Sequence, residues 1–434
     1  MRVSCIKILA LLTLVGPSSV LASTIRLDQA VEMALTNNKE LQSKRLEIKT
    51  AESEFLKARL WSPTNPELEI EAVTDALTAN SGEGTVRLGL SQEIELGGQR
   101  GHRKKIANAH IELTKLEVAA SEQALARNVK VAFYSLLLAQ QRLSFVKYVD
   151  SLAASLRDTA AIRLRGGFLT KSEFTFLDLD VASSQSNINK AEAALSESRT
   201  QLLWLLGGMS DSALEAIGEV AYQPLGISED RLVALAMINR PELKANGSRE
   251  AATTAELALA TRERIPNLKV SAFYSRERSV FSANNFIGNP GGIQGLKDVD
   301  HLFGVRLSLP LPLIDKRRAE ISRFRSEAAV NAATGSSLDN QVRYEARNAY
   351  RVLKSSEKTV DLLKSVQTDV DSLFQMLQSA YAQGRVTVSD YLTQKERLLN
   401  MRVNLLDAQS SYIAAQRECE RAVGLDWNHI RQGE

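Results

Sequence analysis

Four short stretches alternate apolar and polar positions, and two very long stretches carry apolar positions at spacings of three and four. Leu68, Ile70 and Ala72 alternate with Glu67, Glu69 and Glu71, and Val86, Leu88 and Leu90 with Arg87, Gly89 and Ser91. Leu268, Val270, Ala272 and Tyr274 alternate with Lys269, Ser271 and Phe273, and Phe303, Val305, Leu307 and Leu309 with Gly304, Arg306 and Ser308. A period of two predicts strands with one apolar face, here over 66–74, 85–95, 267–276 and 302–311. In the long stretches, Leu125, Val129, Phe133, Leu136 and Leu137 form one stripe. Leu362, Leu363, Val366, Val370, Leu373 and Leu377 form the other. They predict helices over 99–165 and 316–382, each 67 residues and about 100 Å long at 1.5 Å per residue. No proline falls between Pro66 and Pro224 or after Pro312, so nothing interrupts either helix. Return helices are expected over 168–206 and 386–423. Shorter apolar stripes at Leu27, Val31, Ala34, Leu35 and Leu41, and at Leu232, Leu235, Ala236, Ile238 and Leu243, predict further helices. Pro241 begins a new helical piece in the second set.

This order of elements occurs twice. An offset of 217 maps Leu90 to Leu307, Arg100 to Arg317, Ala132 to Ala349, Phe133 to Tyr350, Thr170 to Thr387 and Ser172 to Ser389. The chain of 434 residues therefore reads as one duplicated body, with repeats over 23–225 and 226–434. Residues 1–22 read as a signal peptide. Arg2 and Lys7 precede the apolar run Ile8 to Val15, and Val20-Leu21-Ala22 is followed by Ser23. Cys5 lies before that run, which is the wrong place for a lipoprotein anchor. Beyond the signal one cysteine remains, Cys419, so an internal disulfide is excluded.

No other segment approaches 18 continuous apolar residues, so a membrane is entered as strands or not at all. Apolar-out, charged-in strands fit a transmembrane barrel with a wet interior; a half-exposed soluble sheet shows the same alternation. The signal peptide and the duplicated helices favour the barrel. Four strands cannot close one. Two copies supply about 8 strands, whose interior side chains fill, and three supply about 12, which leaves a pore. The strand pairs are joined by polar loops, a short one around Thr78 to Gly84 and a long one from Glu277 to His301. Net charge is only +3 with no basic block, which argues against a nucleic-acid partner.

The duplication, the stretch from Ala34-Leu35 to Asn38-Lys39-Glu40-Leu41, the strand exits and two glycine turns together resemble the TolC family of outer-membrane efflux proteins. Ser91-Gln92-Glu93-Ile94-Glu95-Leu96-Gly97-Gly98-Gln99-Arg100 resembles its cobalt-zinc-cadmium resistance subgroup, which serves resistance-nodulation-division pumps. The resemblance implies a mixed α and β membrane protein. It would be a homotrimer with a 12-stranded β-barrel in the outer membrane of a Gram-negative bacterium and an α-helical barrel in the periplasm. It implies a passive duct for metal cations, joined to a periplasmic adaptor and an inner-membrane pump and bedded in outer-membrane lipid. A duct for drug efflux or type I protein secretion would share this frame.

The resemblance also nominates residues. The turns with Gly166, Gly167, Phe168 and Leu169, and with Gly384, Arg385 and Val386, correspond to the periplasmic tips that dock the adaptor. The residues alone fit a plain helical hairpin equally, with Thr170 and Thr387 as caps. Glu173 and Asp390 correspond to acids of the closed periplasmic mouth, with Tyr381 beside them. Acids at a helix start are also favoured by the helix dipole. Thr393 stands where relatives carry a second acid. Gly97 and Gly98, and Pro310 and Pro312, would turn strand into helix.

Gly97-Gly98-Gln99-Arg100-Gly101 lacks the Lys-Ser/Thr ending of a phosphate loop. His102, His110, His301 and His429 are too scattered for a metal cluster. No nucleophile or acid–base constellation points to an enzyme, and no cofactor is expected. A periplasmic adaptor would need a lipoyl-like β region, and a coiled-coil scaffold would not need the charged, alternating strands.

Overall fold

Strands with one apolar face must pair sideways, and the computed structural model shows which strands pair. It describes residues 24–75, 77, 82–208, 213–220, 222–281, 296–365 and 367–433. The expected signal peptide lies outside the described residues. The first copy holds β1 (Thr24–Ile25), α1 (Leu27–Asn37), α2 (Lys39–Ala58), β2 (Glu67–Thr74), β3 (Gly84–Ile94), α3 (Gln99–Arg165), α4 (Lys171–Leu205) and β4 (Glu215–Ala216). The second holds α5 (Glu229–Asn239), α6 (Pro241–Arg262), β5 (Leu268–Phe281), β6 (Leu296–Ser308), α7 (Arg318–Ser365), α8 (Gln367–Ala382), α9 (Val388–Val423) and α10 (Trp427–Gln432). Val366, between α7 and α8, lies outside the described residues, as does the side chain of Val370.

Two compact units result, and they cut across the sequence repeats. One comprises Met1–Gln42, Glu122–Ala236 and Glu345–Glu434; the other comprises Ser43–Ser121 and Met237–Tyr344. Each takes segments from both copies.

The second unit contains an antiparallel sheet in the order β2-β3-β5-β6. The seam between the copies is the β3–β5 pair, from Gly84 opposite Arg278 to Ile94 opposite Leu268. Across the sheet, Leu68, Leu90, Ala272 and Val305 share one level, and Ile70, Leu88, Tyr274 and Phe303 share the next. Leu68, Ile70, Leu88, Leu90, Phe303, Val305 and Leu307 are exposed in the single chain. β5 and β6 exceed the expected 267–276 and 302–311. Their ladder continues from Arg276 opposite His301 to Phe281 opposite Leu296. The expected loop from Glu277 to His301 is therefore partly strand, because backbone pairing outlasts the apolar alternation that marked the strand in the sequence. Residues 282–295 of that loop lie outside the described residues, as do 78–81 of the first loop.

Helix starts also move. The return helices begin at Lys171 and Val388 rather than 168 and 386, since Thr170 and Thr387 are extended N-caps. α7 begins at Arg318 rather than 316. Arg317 is left-handed, with φ 55°, and its N–H donates to Asp315 Oδ1 at 2.8 Å, which holds a turn where helix was expected.

The first unit packs α1, the middle of α3 and the end of α4 around Ala30, Ala34, Val129, Phe133, Leu136 and Leu202. Asn38 joins them: its Oδ1 accepts from Leu41 N–H at 3.0 Å and its Nδ2 donates to the Leu205 carbonyl at 3.3 Å. Gly207 follows with φ +103°, and a Cβ there would stand 2.9 Å from the Asn37 carbonyl oxygen, so the close approach requires glycine.

The C-terminal segment docks on the same unit. Gly424 ends α9 at φ 78°, and Trp427 and Ile430 of α10 are buried. Glu420, 1% exposed, accepts from Arg417 Nη1 at 2.7 Å, from Trp427 N–H at 2.8 Å and from Lys130 Nζ at 3.3 Å. Lys130 also pairs with Asp426. Cys419 is buried beside this network, and burial pushes its thiol up to about 12, which leaves it inert. Glu420→Ala takes the carboxylate from buried Arg417, while Lys130 keeps Asp426, so a loss of about 3 kcal/mol is expected. The test is denaturant unfolding followed by Trp427 fluorescence, with W61F/W204F as the background. A change below about 1 kcal/mol would show that the network is dispensable.

Candidate functional site

A helix that reverses direction leaves four carbonyls and four N–H groups without helical partners. Both hairpin tips of the first unit solve this in the same way. In the α3–α4 tip, Phe168 N–H donates to the Arg163 carbonyl at 2.9 Å and Gly167 N–H to the Leu164 carbonyl at 3.1 Å. In the α8–α9 tip, Arg385 N–H donates to the Ala380 carbonyl at 2.9 Å and Gly384 N–H to the Tyr381 carbonyl at 2.9 Å. These are Schellman closures with left-handed glycines, Gly167 at φ +75° and Gly384 at φ +71°. The returning helices are capped alike. Thr170 Oγ1 accepts from Glu173 N–H at 3.3 Å, and Thr387 Oγ1 accepts from Asp390 N–H at 3.1 Å.

The nominated acids take part in these caps. Thr170 Oγ1 donates to Glu173 Oε2 at 2.7 Å, Thr170 N–H donates to the same oxygen at 2.9 Å, and Thr387 Oγ1 donates to Asp390 Oδ2 at 2.8 Å. The Thr170 hydroxyl, then its N–H, hold the Glu173 carboxyl below its ordinary value. Asp390 remains exposed and Glu173 is half-buried.

The nominated tip residues separate by burial. Phe168 is 86% exposed. Leu169 and Val386 instead pack on a small core of Leu156, Ala160, Leu177, Tyr381, Val388 and Tyr391. A Cβ at Gly166 would stand 2.8 Å from the Phe168 ring, which explains glycine there and Gln383 at the matching place, where Arg385 replaces Phe168. Tyr381 is 2% exposed and meets Tyr391 with ring centroids 5.0 Å apart. Burial raises its phenol. Arg163 lies over the Tyr381 ring at 5.7 Å and donates to the Ala382 carbonyl at 2.6 Å, which ties one tip to the other.

Sequence reasoning missed Arg163 and the buried pair of Lys395 with Asp180 that joins α9 to α4. Each charge sits on a long helix that carries many others, where solvated and paired charges have the same pattern.

In the second unit the junctions depend on close backbone approach. A Cβ at Gly97 would stand 2.7 Å from the Arg262 carbonyl oxygen, and Gly98 has φ +72°. Buried Gln99 donates from Nε2 to Asn267 Oδ1 at 3.0 Å. Arg103 pairs with Glu95 and donates to the Leu60 carbonyl, and Arg264 Nε donates to the Lys316 carbonyl at 3.1 Å. Pro310 and Pro312 lie exposed between β6 and α7. The polar sheet face carries Glu67, Glu69 and Glu71 against Lys269 and Arg87, with Arg87 and Arg306 over the Phe273 ring at 5.2 and 5.6 Å.

Among the described residues no group of three or more His, Cys, Asp or Glu side chains is placed to hold a metal ion, and no helix is long and apolar enough to cross a membrane.

Removing either cap hydroxyl, Thr170→Ala or Thr387→Ala, is expected to cost about 1 kcal/mol. Hydrogen exchange in the first turn of α4 or α9 reads the loss. Because the folded Glu173 value is lowered, its contribution to α4 is complete above the ordinary value of 4.5 and is lost as pH falls through the lowered one. Protection of the first turn of α4 that is equal at pH 7 and pH 3 would remove Glu173 from the cap.

Residues 30–208 and 232–425 match the family described as Outer membrane efflux protein. The chain is 21% identical over 408 residues to the cobalt-zinc-cadmium resistance protein CzcC of Cupriavidus metallidurans, covering 93% of this chain and 91% of that one. Its fold is similar to a membrane protein from Pseudomonas aeruginosa (TM-score 0.73, 18% identity, 92% of each chain) and to CusC (TM-score 0.69, 16% identity, 92% of each chain). The mixed α and β fold with its four-stranded sheet, the paired hairpin tips and the match over both copies lead to one conclusion: the chain belongs to the outer membrane efflux protein family, and is an efflux channel of the outer membrane with a large periplasmic portion.

Proposed function

We propose that three copies of this chain close one 12-stranded barrel, and that the assembly is a passive duct for divalent metal cations. An inner-membrane resistance-nodulation-division pump and a periplasmic adaptor would feed it. One observation carries this reading: the sheet is open. Among the described residues β2 pairs only with β3 and β6 only with β5, so each outer edge has a free ladder. Lipid does not tolerate such an edge, and joining β6 of one copy to β2 of the next satisfies both.

The cargo reading rests on two supports. One is the likeness to a protein named for cobalt, zinc and cadmium resistance. The other is the polar sheet face, which becomes the lumen. It carries seven acids (Glu67, Glu69, Glu71, Glu93, Glu277, Asp298 and Asp300) and three bases (Arg87, Lys269 and Arg306). Three such faces enclose a lumen of negative potential, which concentrates cations and repels anions. A duct needs no tight metal site, since tight binding would slow passage.

In this reading Phe168 and Arg385 are the exposed tip residues that meet the adaptor. Gly166, Gly167, Leu169, Gly384 and Val386 hold the turns. Glu173 and Asp390 face the periplasmic mouth above Tyr381. Asp390→Ala removes one acid per copy and is expected to change single-channel conductance or cation block in planar bilayers; unchanged traces remove Asp390 from the gate.

A deletion strain is expected to lose tolerance to zinc, cobalt or cadmium and to regain it from a plasmid copy. Gly384→Trp should assemble normally and fail to complement. Sensitivity to drugs with normal metal tolerance would replace the metal reading with drug efflux. Full complementation by Gly384→Trp would remove adaptor docking from this tip.

A further inference from the structure

The four connections between sheet and helices share a pattern that the duct reading does not use. On the β6 side, Val305, Leu307, Leu309, Leu311 and Leu313 keep the apolar face at a period of two past the end of the strand. Leu311 and Leu313 are 68% and 77% exposed, and Ile314 is fully exposed. Lys316-Arg317-Arg318 follows at once. On the β2 side, exposed Leu60 and Trp61 follow Lys57 and Arg59. β3 continues through exposed Leu96 to Arg100, and β5 is preceded by exposed Ile265 and by Arg262 and Arg264.

The charge is concentrated here. Residues 57–66, 95–105, 262–267 and 309–318 hold eleven Lys or Arg and three acids, in a chain whose total is only +3. Among the described residues only Arg103 and Arg317 of the eleven form ion pairs. All of these segments lie in one compact unit, at the end of the sheet where the helices begin. An exposed apolar row ending in unpaired cations, with a tryptophan at the boundary, has the composition of a membrane–water interface. Long basic side chains lie along acyl chains and place their charge at phosphate level.

We propose that this collar binds anionic phospholipid headgroups of the periplasmic leaflet of the outer membrane. The apolar row enters the acyl region, and the cations engage the phosphates. The proposal rests on the membrane-spanning sheet and is independent of cargo.

The test titrates the purified, delipidated full-length assembly with phosphatidylglycerol, phosphatidylethanolamine or inorganic phosphate, and counts bound molecules by native mass spectrometry. The variant K57Q/K105Q/R262Q/K316Q removes one exposed cation from each connection. Each such cation contributes on the order of 1 kcal/mol at an anionic surface. Phosphatidylglycerol is therefore expected to bind the native protein at least about tenfold more tightly than phosphatidylethanolamine, and the variant should lose at least about tenfold of that affinity.

Equal binding of the two lipids to the native protein overturns the proposal, whatever the variant does. Unchanged phosphatidylglycerol affinity in a folded variant overturns it too. Inorganic phosphate that binds as well as phosphatidylglycerol would show an anion site without a lipid. If the quadruple variant does not assemble, K57Q/K316Q replaces it, with at least about threefold loss expected. Planar-bilayer conductance separates the two readings: a native protein that conducts without preferring phosphatidylglycerol refutes the collar alone, and one that never inserts refutes the duct.

Discussion

A strand in hydrocarbon has no water to meet its N–H and C=O groups, so its ladder must be complete. In this chain that constraint acts first at the seam between the two copies. β3 and β5 pair along the whole length of β3, from Gly84 to Ile94. This pairing places the apolar positions of both copies on one face and the acids on the other. A slip of β5 by one residue against β3 would turn Lys269 toward lipid and Val270 toward water, while Glu93 and Leu90 kept their faces. The same constraint makes the free edges of β2 and β6 a reason to assemble, because no other strand of the described residues covers them.

The tips show how a duplicated backbone tolerates divergent side chains. Both turns need a left-handed residue at one place and a threonine cap three residues later, and both copies keep them: Gly167 with Thr170, and Gly384 with Thr387. Other positions have parted. Phe168 lies over Gly166 in one tip, and Arg385 stands beside Gln383 in the other. The turn requires only the backbone, so the exposed side chains are left to recognition.

Charge is sorted by place. The polar sheet face is acidic, the strand–helix junctions are basic, and the first unit buries Glu420 among Arg417, Lys130 and the Trp427 amide. Each placement matches its surroundings. Carboxylates on a wet face stay hydrated, and cations beside an apolar row reach phosphate. Glu420, shut away from water, has paired donors in place of hydration.

Periodicity and repetition by themselves determined much of this protein. Alternation marked all four strands, spacing marked α3 from Gln99 to Arg165, and the offset of 217 aligned the two glycine turns. These are local properties, written in neighbouring residues. Tertiary structure decided what depends on partners distant in the chain. It extended β5 and β6 beyond their apolar positions through mutual pairing, and it delayed α7 by the Asp315–Arg317 turn. It buried Tyr381 and half-buried Leu169 and Val386 beneath the tips that exposed Phe168. It also joined Lys395 to Asp180 and gave the C-terminal segment a docking place at Glu420. A period reports which face of an element is apolar. It carries no information on which distant charge will meet another, because that depends on how the helices pack.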